Sequence, residues 1–204
     1  MDYKNFIRRI SVSLFFLFIY YIIVYINTDY LTVFGIIIYL AIIYEIIKFF
    51  KINLFFILFY LLFSFLFFLI YTNYFFNIVE FNIFIFTIII FDSFSYLIGT
   101  KFGKNKLFII LSPKKTLEGL IGGIFITNIL LSIYLYYYEI LLENILFINL
   151  IILSSFFGDL LQSYFKRSNN LKDSSNFLPG HGGFFDRFDS FIFCIILLFF
   201  YQVI

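Results

Sequence analysis

Long uninterrupted apolar runs are the feature that most restricts what this chain can fold into. A helix needs about 20 apolar residues to cross the hydrocarbon core of a bilayer. Seven runs approach or reach that length, at residues 10–27, 31–47, 52–71, 79–99, 117–138, 144–165 and 188–204. In lipid, only helices and closed barrels satisfy every backbone polar group, and barrel strands alternate apolar with polar residues over about 10 positions. Because these runs are continuous, the sequence predicts an all-α polytopic membrane protein with about seven transmembrane helices.

The composition excludes the soluble class of protein. Hydrophobic residues make up 63% of the 204 residues and charged residues only 13%, whereas a soluble domain carries about 25% charged residues. So few charges cannot cover a globule of this size, which leaves the bilayer as the solvent. We expect a single integral membrane domain over residues 1–204. Its first run is expected to be retained, because no small-residue cleavage site follows it.

The basic residues predict how the chain is oriented. All 14 Lys and Arg lie before the first run or in alternate loops, whereas the opposite loops carry only acids such as Asp29, Glu139 and Glu143. An excess of Lys and Arg marks the cytoplasmic side of a membrane. We therefore expect a cytoplasmic N-terminus and cytoplasmic polar loops around residues 100–116 and 166–187. The membrane is either a cell inner membrane or an organelle membrane.

The sixth run carries an acid inside the bilayer, in the stretch SSFFGDLLQSYFKR. At 100° per residue, Asp159, Ser163, Lys166 and Arg167 occupy about a third of the helix circumference. A carboxylate at that depth costs roughly 2.5–3.5 kcal/mol and needs a partner. Asp159 is therefore either a metal ligand at the floor of a polar, cytoplasm-facing cavity or the partner of a structural cation from another helix.

Two further segments allow both a functional and a structural interpretation. Asp92, in FDSFSYLIGTKFG, is either a site residue or a polar contact that locks helices together. In SPKKT, Lys114 and Lys115 precede Thr116, a plausible N-cap for the following helix. A helix N-terminus beside lysines suits a phosphate, although paired lysines next to a span commonly serve as topology anchors.

The densest polar chemistry lies in one segment, SYFKRSNNLKDSSNFLPGHGGFFDRFDS, from Ser163 to Ser190. It combines three acids with four cations and with the single histidine, which lies in a glycine-rich turn: Asp173, Asp186, Asp189, Lys166, Arg167, Lys172, Arg187 and His181. Carboxylates with clustered cations suit Mg²⁺-assisted chemistry on polyphosphates. Zn²⁺ is disfavoured, because the chain has one cysteine and one histidine. His181 either stabilises the turn by hydrogen bonding or contacts a phosphate.

This segment resembles the signature of the phosphatidate cytidylyltransferases, S-x-x-K-R-x-x-x-x-K-D-x-x-x-x-(L/I/F)-P-G-H-G-G-x-x-D-R-x-D. Every fixed position is met between Ser163 and Asp189. The family's upstream motifs are also present: G-D at Gly158 and Asp159, S-P-K-K-T-x-E-G from Ser112, and D-x-x-x-Y-x-x-G from Asp92. One position departs from the family, because Thr100 stands where an arginine is usual and Lys101 follows it. The resemblance covers residues 92–190.

The resemblance implies the reaction of CTP with phosphatidic acid to give CDP-diacylglycerol and pyrophosphate. It assigns the divalent metal, Mg²⁺ with K⁺ as an optional second cation, to Asp159 and Asp186. It implies catalytic or phosphate-binding roles for Lys166, Arg167, Lys172, Asp173, His181, Arg187 and Asp189. It assigns binding of CTP or of the lipid headgroup to Ser112, Lys114, Lys115, Thr116 and Ser163. It also suggests a homodimer and no nucleic-acid partner.

Two other classes of function remain open from the sequence. A related CTP-dependent lipid enzyme, such as a polyprenol kinase or an ether-lipid cytidylyltransferase, would differ in its acceptor rather than its architecture. A transporter could also carry intramembrane acids. The concentration of polar residues on one side argues against a charged path across the membrane and so against transport.

Overall fold

The computed structural model describes residues 17–138, 144–178 and 182–203. Five helices within these ranges are long and apolar enough to cross a membrane, and two shorter apolar helices accompany them. The long helices are α2 (Asp29–Phe49), α3 (Leu54–Ile70, continued by a π-helical turn at Tyr71–Phe75), α4 (Ile78–Phe102), α5 (Leu117–Tyr137) and α6 (Asn144–Ser168). The shorter ones are α1 (Leu17–Ile26) and α7 (Asp189–Val203). The chain is an all-α, multi-pass membrane protein, as the apolar runs predict.

A small hairpin is the main element that the apolar pattern does not predict. Strands β1 (Lys106–Phe108) and β2 (Ser112–Thr116) pair in antiparallel fashion between α4 and α5. Thr116 ends the hairpin and begins α5, where its hydroxyl oxygen accepts the backbone N–H of Gly119 at 3.1 Å. The predicted N-cap is therefore confirmed. The hairpin holds Lys114 and Lys115 directly before a helix N-terminus.

The chain divides into two compact units. The first comprises Met1–Phe75 and Phe165–Phe188, and the second comprises Phe76–Tyr164 and Asp189–Ile204. The boundary between them falls inside α6 and again at the start of α7. The prediction of one domain over residues 1–204 is not decided by this division and stays a prediction.

The first unit is organised around the packing of α2 on α3. Ile42 of α2 and Ile57 and Leu61 of α3 are fully buried. Tyr39 of α2 and Ser64 of α3 share a hydrogen bond of 2.6 Å between their hydroxyl groups. This bond satisfies two polar groups that the apolar surroundings would otherwise leave without a partner. The signature segment from Phe165 to Phe188 belongs to this unit.

The second unit depends on a close approach of α4 and α5. A Cβ atom on Gly119 would lie 2.6 Å from the carbonyl oxygen of Ser95 and 3.0 Å from the Cα of Gly99. Glycine at these positions lets the two backbones approach, as small residues do in membrane helix pairs. Further along, Asn128 of α5 and Asn149 of α6 exchange two amide hydrogen bonds of 3.0 Å. These contacts join α4, α5 and α6 around the intramembrane acids.

Candidate active site

In the second unit, Asp159 forms an ion pair with Lys115. The ammonium nitrogen of Lys115, on β2, lies 2.8 Å from a carboxylate oxygen of Asp159, on α6. The Lys115 ammonium also donates to the carbonyl oxygen of Phe156 at 3.4 Å and lies 4.5 Å from the centroid of the Phe156 ring. Ser163, one turn along α6, donates a long hydrogen bond of 3.4 Å to the other oxygen of Asp159. A cation thus compensates the intramembrane acid, although it comes from strand β2 and not from another helix, and it is itself a predicted site residue.

Asp92 joins three helices through its two carboxylate oxygens. The hydroxyl of Ser155, on α6, donates to one oxygen at 3.0 Å, and the hydroxyl of Ser190, on α7, donates to the other at 3.2 Å. Asp92 is also close enough to Asp159 and Lys115 to interact electrostatically with both. Hydrogen bonds and charge interactions therefore connect five residues: Asp92, Lys115, Ser155, Asp159 and Ser190. Both interpretations of Asp92 therefore have support, because it locks helices and borders the Asp159 pair.

Sequence reasoning missed Ser155 and Ser190, although a signal for each was present. Ser155 precedes Asp159 by four residues and therefore lies on the same face of α6. Ser190 follows Asp189, whose carboxylate caps the start of α7 by accepting the Ser190 N–H at 2.8 Å. Gly158 lets α7 come close, because a Cβ there would lie 2.8 Å from the Cβ of Phe193 and 3.0 Å from the Asp189 carbonyl oxygen.

In the first unit, Asp186 holds the signature segment together. One carboxylate oxygen accepts a hydrogen bond from the Lys166 ammonium at 2.7 Å. The other accepts the N–H and the hydroxyl of Ser174, both at 2.7 Å, and the N–H of Gly183 at 3.1 Å. Burial by itself raises the pKa of Asp186, but the Lys166 ammonium and the Ser174 hydrogen bonds outweigh it and hold that pKa below its usual value. Asp186 is therefore a charged anchor that draws the loop onto the end of α6.

The turn before Asp186 requires glycine. Gly182 has a φ of +77°, in the left-handed region that non-glycine residues seldom adopt. A Cβ at this position would also collide with the Asp186 carboxylate. The N–H of Leu178 donates to the Gly182 carbonyl oxygen at 2.9 Å and so closes the turn. Pro179, Gly180 and the predicted site residue His181 lie outside the described residues.

The other predicted site residues take varied positions. Arg167 donates to the Leu171 carbonyl oxygen at 2.8 Å, so it helps to end α6. Lys172 and Asp173 are exposed in the loop, and Lys114 is exposed on β2. Arg187 is half-buried, and Ser112 begins β2. Their predicted contacts with substrate stay predictions.

Besides Asp186, the first unit contains a buried carboxylate that the sequence analysis did not predict as a site residue. Glu45, on α2, is completely buried and accepts the backbone N–H groups of Phe184 and Phe185 at 2.8 and 3.4 Å. The signal was available, since Glu45 interrupts the second apolar run just as Asp92 and Asp159 interrupt the fourth and sixth. Its contact with the signature segment is not predictable from sequence, because about 140 positions separate Glu45 from Phe184 and Phe185.

The acidic residues differ in how well they suit Mg²⁺. Within the described ranges, no group of three or more His, Cys, Asp or Glu residues could hold a metal ion. Mg²⁺ on a nucleotide, however, commonly uses one or two carboxylates and takes its other ligands from phosphates and water. Asp159 fits that role, because its side chain is 34% exposed and the Asp92 carboxylate is nearby. Asp186 fits it less well, because its side chain is only 10% exposed and its two oxygens accept the four short hydrogen bonds from Lys166, Ser174 and Gly183.

The sequence predicts that Asp159 and Asp186 both bind the divalent metal. Asp159 belongs to the second unit and Asp186 to the first. Their joint assignment to a divalent metal therefore stays a prediction.

The chain matches known proteins over most of its length. Residues 51–204 match the sequence model of the Cytidylyltransferase family. The chain is also 44% identical over 110 residues to the phosphatidate cytidylyltransferase of Staphylococcus aureus strain COL, and 43% identical over 112 residues to that of Bacillus subtilis strain 168. These matches cover 52% and 53% of this chain and 42% of each relative. The matching part thus spans less than half the length of these relatives.

Proposed function

The chain belongs to the cytidylyltransferase family, and from this membership we propose that it transfers the cytidylyl group of CTP to phosphatidic acid. The products are CDP-diacylglycerol and pyrophosphate. The observation that carries the proposal is the complete signature segment, whose acid Asp186 holds the cation Lys166 at 2.7 Å. The names of the Staphylococcus and Bacillus relatives support the same reaction.

The proposed chemistry makes modest demands on acid–base catalysis. A phosphate oxygen of phosphatidic acid attacks the α-phosphorus of CTP, and the bond from that phosphorus to the oxygen bridging to the β-phosphate breaks. Pyrophosphate leaves with the electron pair. The attacking oxygen is already anionic near neutral pH, so no strong general base is needed. The main obstacle is repulsion between two anions, which positioning and fixed positive charge can reduce.

The chain offers cations suited to this task. In the proposal, Lys166, Arg167, Lys172 and Arg187 bind phosphate groups, while Lys114 and Lys115 act with Ser112 and Thr116 at the start of α5. Lys166 and Lys115 are both held by carboxylates, so their ammonium groups are oriented by the protein. Oriented charge stabilises a transition state better than mobile charge, because little reorganisation is needed during the reaction.

Mg²⁺ belongs to the proposal, with K⁺ as an optional second cation. Asp159, assisted by Asp92, would hold Mg²⁺, and Asp186 stays proposed as a further ligand. When bound, the metal would neutralise charge on the phosphate oxygens of CTP. Asp173 and Asp189 remain proposed as further ligands or supporting groups, and Ser163 is proposed to assist through its hydrogen bond to Asp159.

Orientation and assembly are also part of the proposal. The distribution of Lys and Arg supports a cytoplasmic N-terminus and cytoplasmic catalytic loops, in a cell inner membrane or an organelle membrane. CTP would arrive from the cytoplasm, and the lipid would enter from the bilayer. The family resemblance suggests a homodimer, and no nucleic-acid partner is proposed.

Labelled CTP tests the proposal and separates it from its rivals. Purified chain in lipid is given Mg²⁺ and CTP labelled at either the α- or the γ-phosphate, with phosphatidic acid, a polyprenol or an ether lipid as acceptor. We expect the α-label to appear in lipid only with phosphatidic acid, and we expect the γ-label to leave in pyrophosphate and never enter lipid. Transfer of the γ-label to polyprenol would instead identify a kinase. Transfer of the α-label only to the ether lipid would overturn the proposed acceptor, and ion flux without CTP would indicate a transporter.

A further inference from the structure

The end of helix α2 packs against the signature loop, which is the part of the signature segment between α6 and α7, residues 169–188. Phe177, from the loop, stacks on Tyr44 with ring centroids 5.9 Å apart and meets Phe49 edge-on at 5.6 Å. The ammonium nitrogen of Lys48 lies 5.3 Å from the centroid of the Phe177 ring. Later in the loop, Phe185 packs edge-on against Phe50 at 6.0 Å. The residues Tyr44–Phe50 are called the α2 packing surface below.

Glu45 forms the hydrogen bonds between the α2 packing surface and the signature loop. Its carboxylate is fully buried, and one oxygen accepts the N–H groups of Phe184 and Phe185. These two residues immediately precede Asp186. Bonds from a single oxygen to two successive amides restrict the backbone of the turn much more than the ring contacts do, because hydrogen bonds are directional.

The loop is shaped to receive this carboxylate. A Cβ atom on Gly183 would overlap the Glu45 carboxylate, so a larger residue there would displace the acid from its position against the next two amides. The Ser174 hydroxyl interacts with Glu45 but has one proton, and it donates that proton to Asp186 at 2.7 Å. Glu45 and Asp186 therefore hold three successive amides of the same turn, with Gly183 bound by Asp186 and the next two by Glu45.

Glu45 is a buried acid in a mostly apolar helix, which suggests a role beyond helix packing. A fully buried carboxylate in an apolar helix is costly unless it finds hydrogen-bond partners. Helix packing alone offers no reason to bear that cost, since the neighbouring Ile42 and Ile46 pack without polar groups. Glu45 also lies before residue 51, where the match to the family model begins.

We propose that Glu45 is a positioning residue for the reaction, which fixes the Phe184–Arg187 turn from helix α2 and thereby places Asp186 and its partner Lys166. This inference rests on the proposed function. Glu45 acts through the loop backbone and touches no reacting atom. If Glu45 is lost, the turn loosens, Asp186 no longer holds the Lys166 ammonium in place, and binding of the triphosphate weakens.

Glu45→Ala and Glu45→Gln test the inference, with Tyr39→Phe as the matched control. Tyr39 lies on the same helix, is buried and hydrogen-bonds Ser64, away from the loop. Hydrogen exchange of the peptide containing Phe184 and Phe185 is measured together with KM and kcat for CTP. We expect Glu45→Ala to speed exchange and raise KM about tenfold, the value of roughly one hydrogen bond to a charged group. Glu45→Gln keeps an acceptor oxygen and should restore both quantities to within about threefold of wild type.

The control decides between positioning and general stability. Tyr39→Phe should leave loop exchange and KM unchanged, and an equal rise of KM in Tyr39→Phe and Glu45→Ala would overturn the inference. Unchanged exchange in Glu45→Ala would overturn it as well. If the wild-type chain shows no transfer activity, the proposed function fails, while the exchange comparison still decides whether Glu45 holds the turn.

A second variant covers the case in which Glu45→Ala does not fold. Gly183→Ala forces a Cβ against the Glu45 carboxylate, so it should speed exchange of the same peptide while Glu45 remains. Combining it with Glu45→Gln should give an effect smaller than the sum of the single effects, because both changes break the same contact. Fully additive effects would contradict the proposal.

Discussion

Lys115, on a hairpin strand, and Asp159, on a helix and 44 residues later in the sequence, form an ion pair of 2.8 Å. The side chains are only 18% and 34% exposed. Each charge therefore depends on the other, because removing one leaves its partner poorly solvated. The pair also places an oriented cation beside a carboxylate that the proposed reaction assigns to metal.

Lys115→Met should destabilise the protein by about 1–2 kcal/mol, a value reduced from that of a fully buried pair because both groups are partly exposed. Thermal unfolding of the purified variants in detergent measures the effect. Lys114→Met, which removes an exposed neighbouring lysine, is the control and should change the unfolding temperature little. If Lys115→Met combined with Asp159→Asn is as unstable as the two single losses added together, the pair contributes no coupling.

Chelation of Mg²⁺ should abolish transfer of the cytidylyl group, and added Mg²⁺ should restore it. Asp159→Asn removes one proposed ligand charge, so we expect the Mg²⁺ concentration for half-maximal activity to rise about tenfold or more. A titration of activity against Mg²⁺ measures this. Asp29→Asn, an exposed acid at the start of α2, should leave the titration unchanged. An identical Mg²⁺ requirement in Asp159→Asn and wild type would remove Asp159 from the metal site.

The Asp186 anchor should show a characteristic pH dependence. Its pKa is lowered in the folded chain, so its stabilising effect is complete above the unfolded pKa of about 3.9 and is lost as the pH falls through the lower, folded value. Asp186→Asn should therefore be less stable than wild type at pH 7, and the difference should shrink as the pH falls below about 3.9. Protease resistance of the loop at each pH measures it. A difference that grows on acidification would contradict this assignment.

The asparagine pair Asn128 and Asn149 should stabilise the helices without affecting the chemistry. Polar contacts between membrane helices contribute about 0.6 kcal/mol on average and up to about 1.7 kcal/mol. Asn128→Leu or Asn149→Leu leaves the other amide without its interhelical partner, so each should lower the unfolding temperature. The double leucine variant should recover part of the loss, because no amide is stranded. Equal or greater damage in the double variant would show that the pair is not the relevant contact.

Much of the site could be predicted because its chemistry is concentrated in sequence. Asp186, Lys166 and Ser174 occur within one dense polar segment, and the structure brings them together through hydrogen bonds. Thr116 was predictable as a helix cap from its position before an apolar run. Metal binding by Asp186 stays a prediction, although the bonds to both of its oxygens show a loop-anchoring role that its motif alone does not reveal.

The partners of the intramembrane acids could not be predicted. Asp92 takes its donors from Ser155 and Ser190, and Glu45 takes its donors from the backbone of Phe184 and Phe185. A helix that is apolar on every side has no polar face to show which side meets its neighbour. The β1–β2 hairpin could not be predicted either, because its strands are three and five residues long and show no apolar alternation.

The apolar runs by themselves determined that this chain is a helical membrane protein, because lipid offers the backbone no hydrogen-bond partners outside the chain. The density of charge between Ser163 and Ser190 likewise determined where the chemistry must be sought. Only the tertiary structure decided that Lys115 compensates Asp159 and that Glu45 reaches the signature loop from α2. Such pairings depend on which helix faces pack together, and near-uniform hydrophobicity leaves that choice to close packing and to the few polar groups that must find partners.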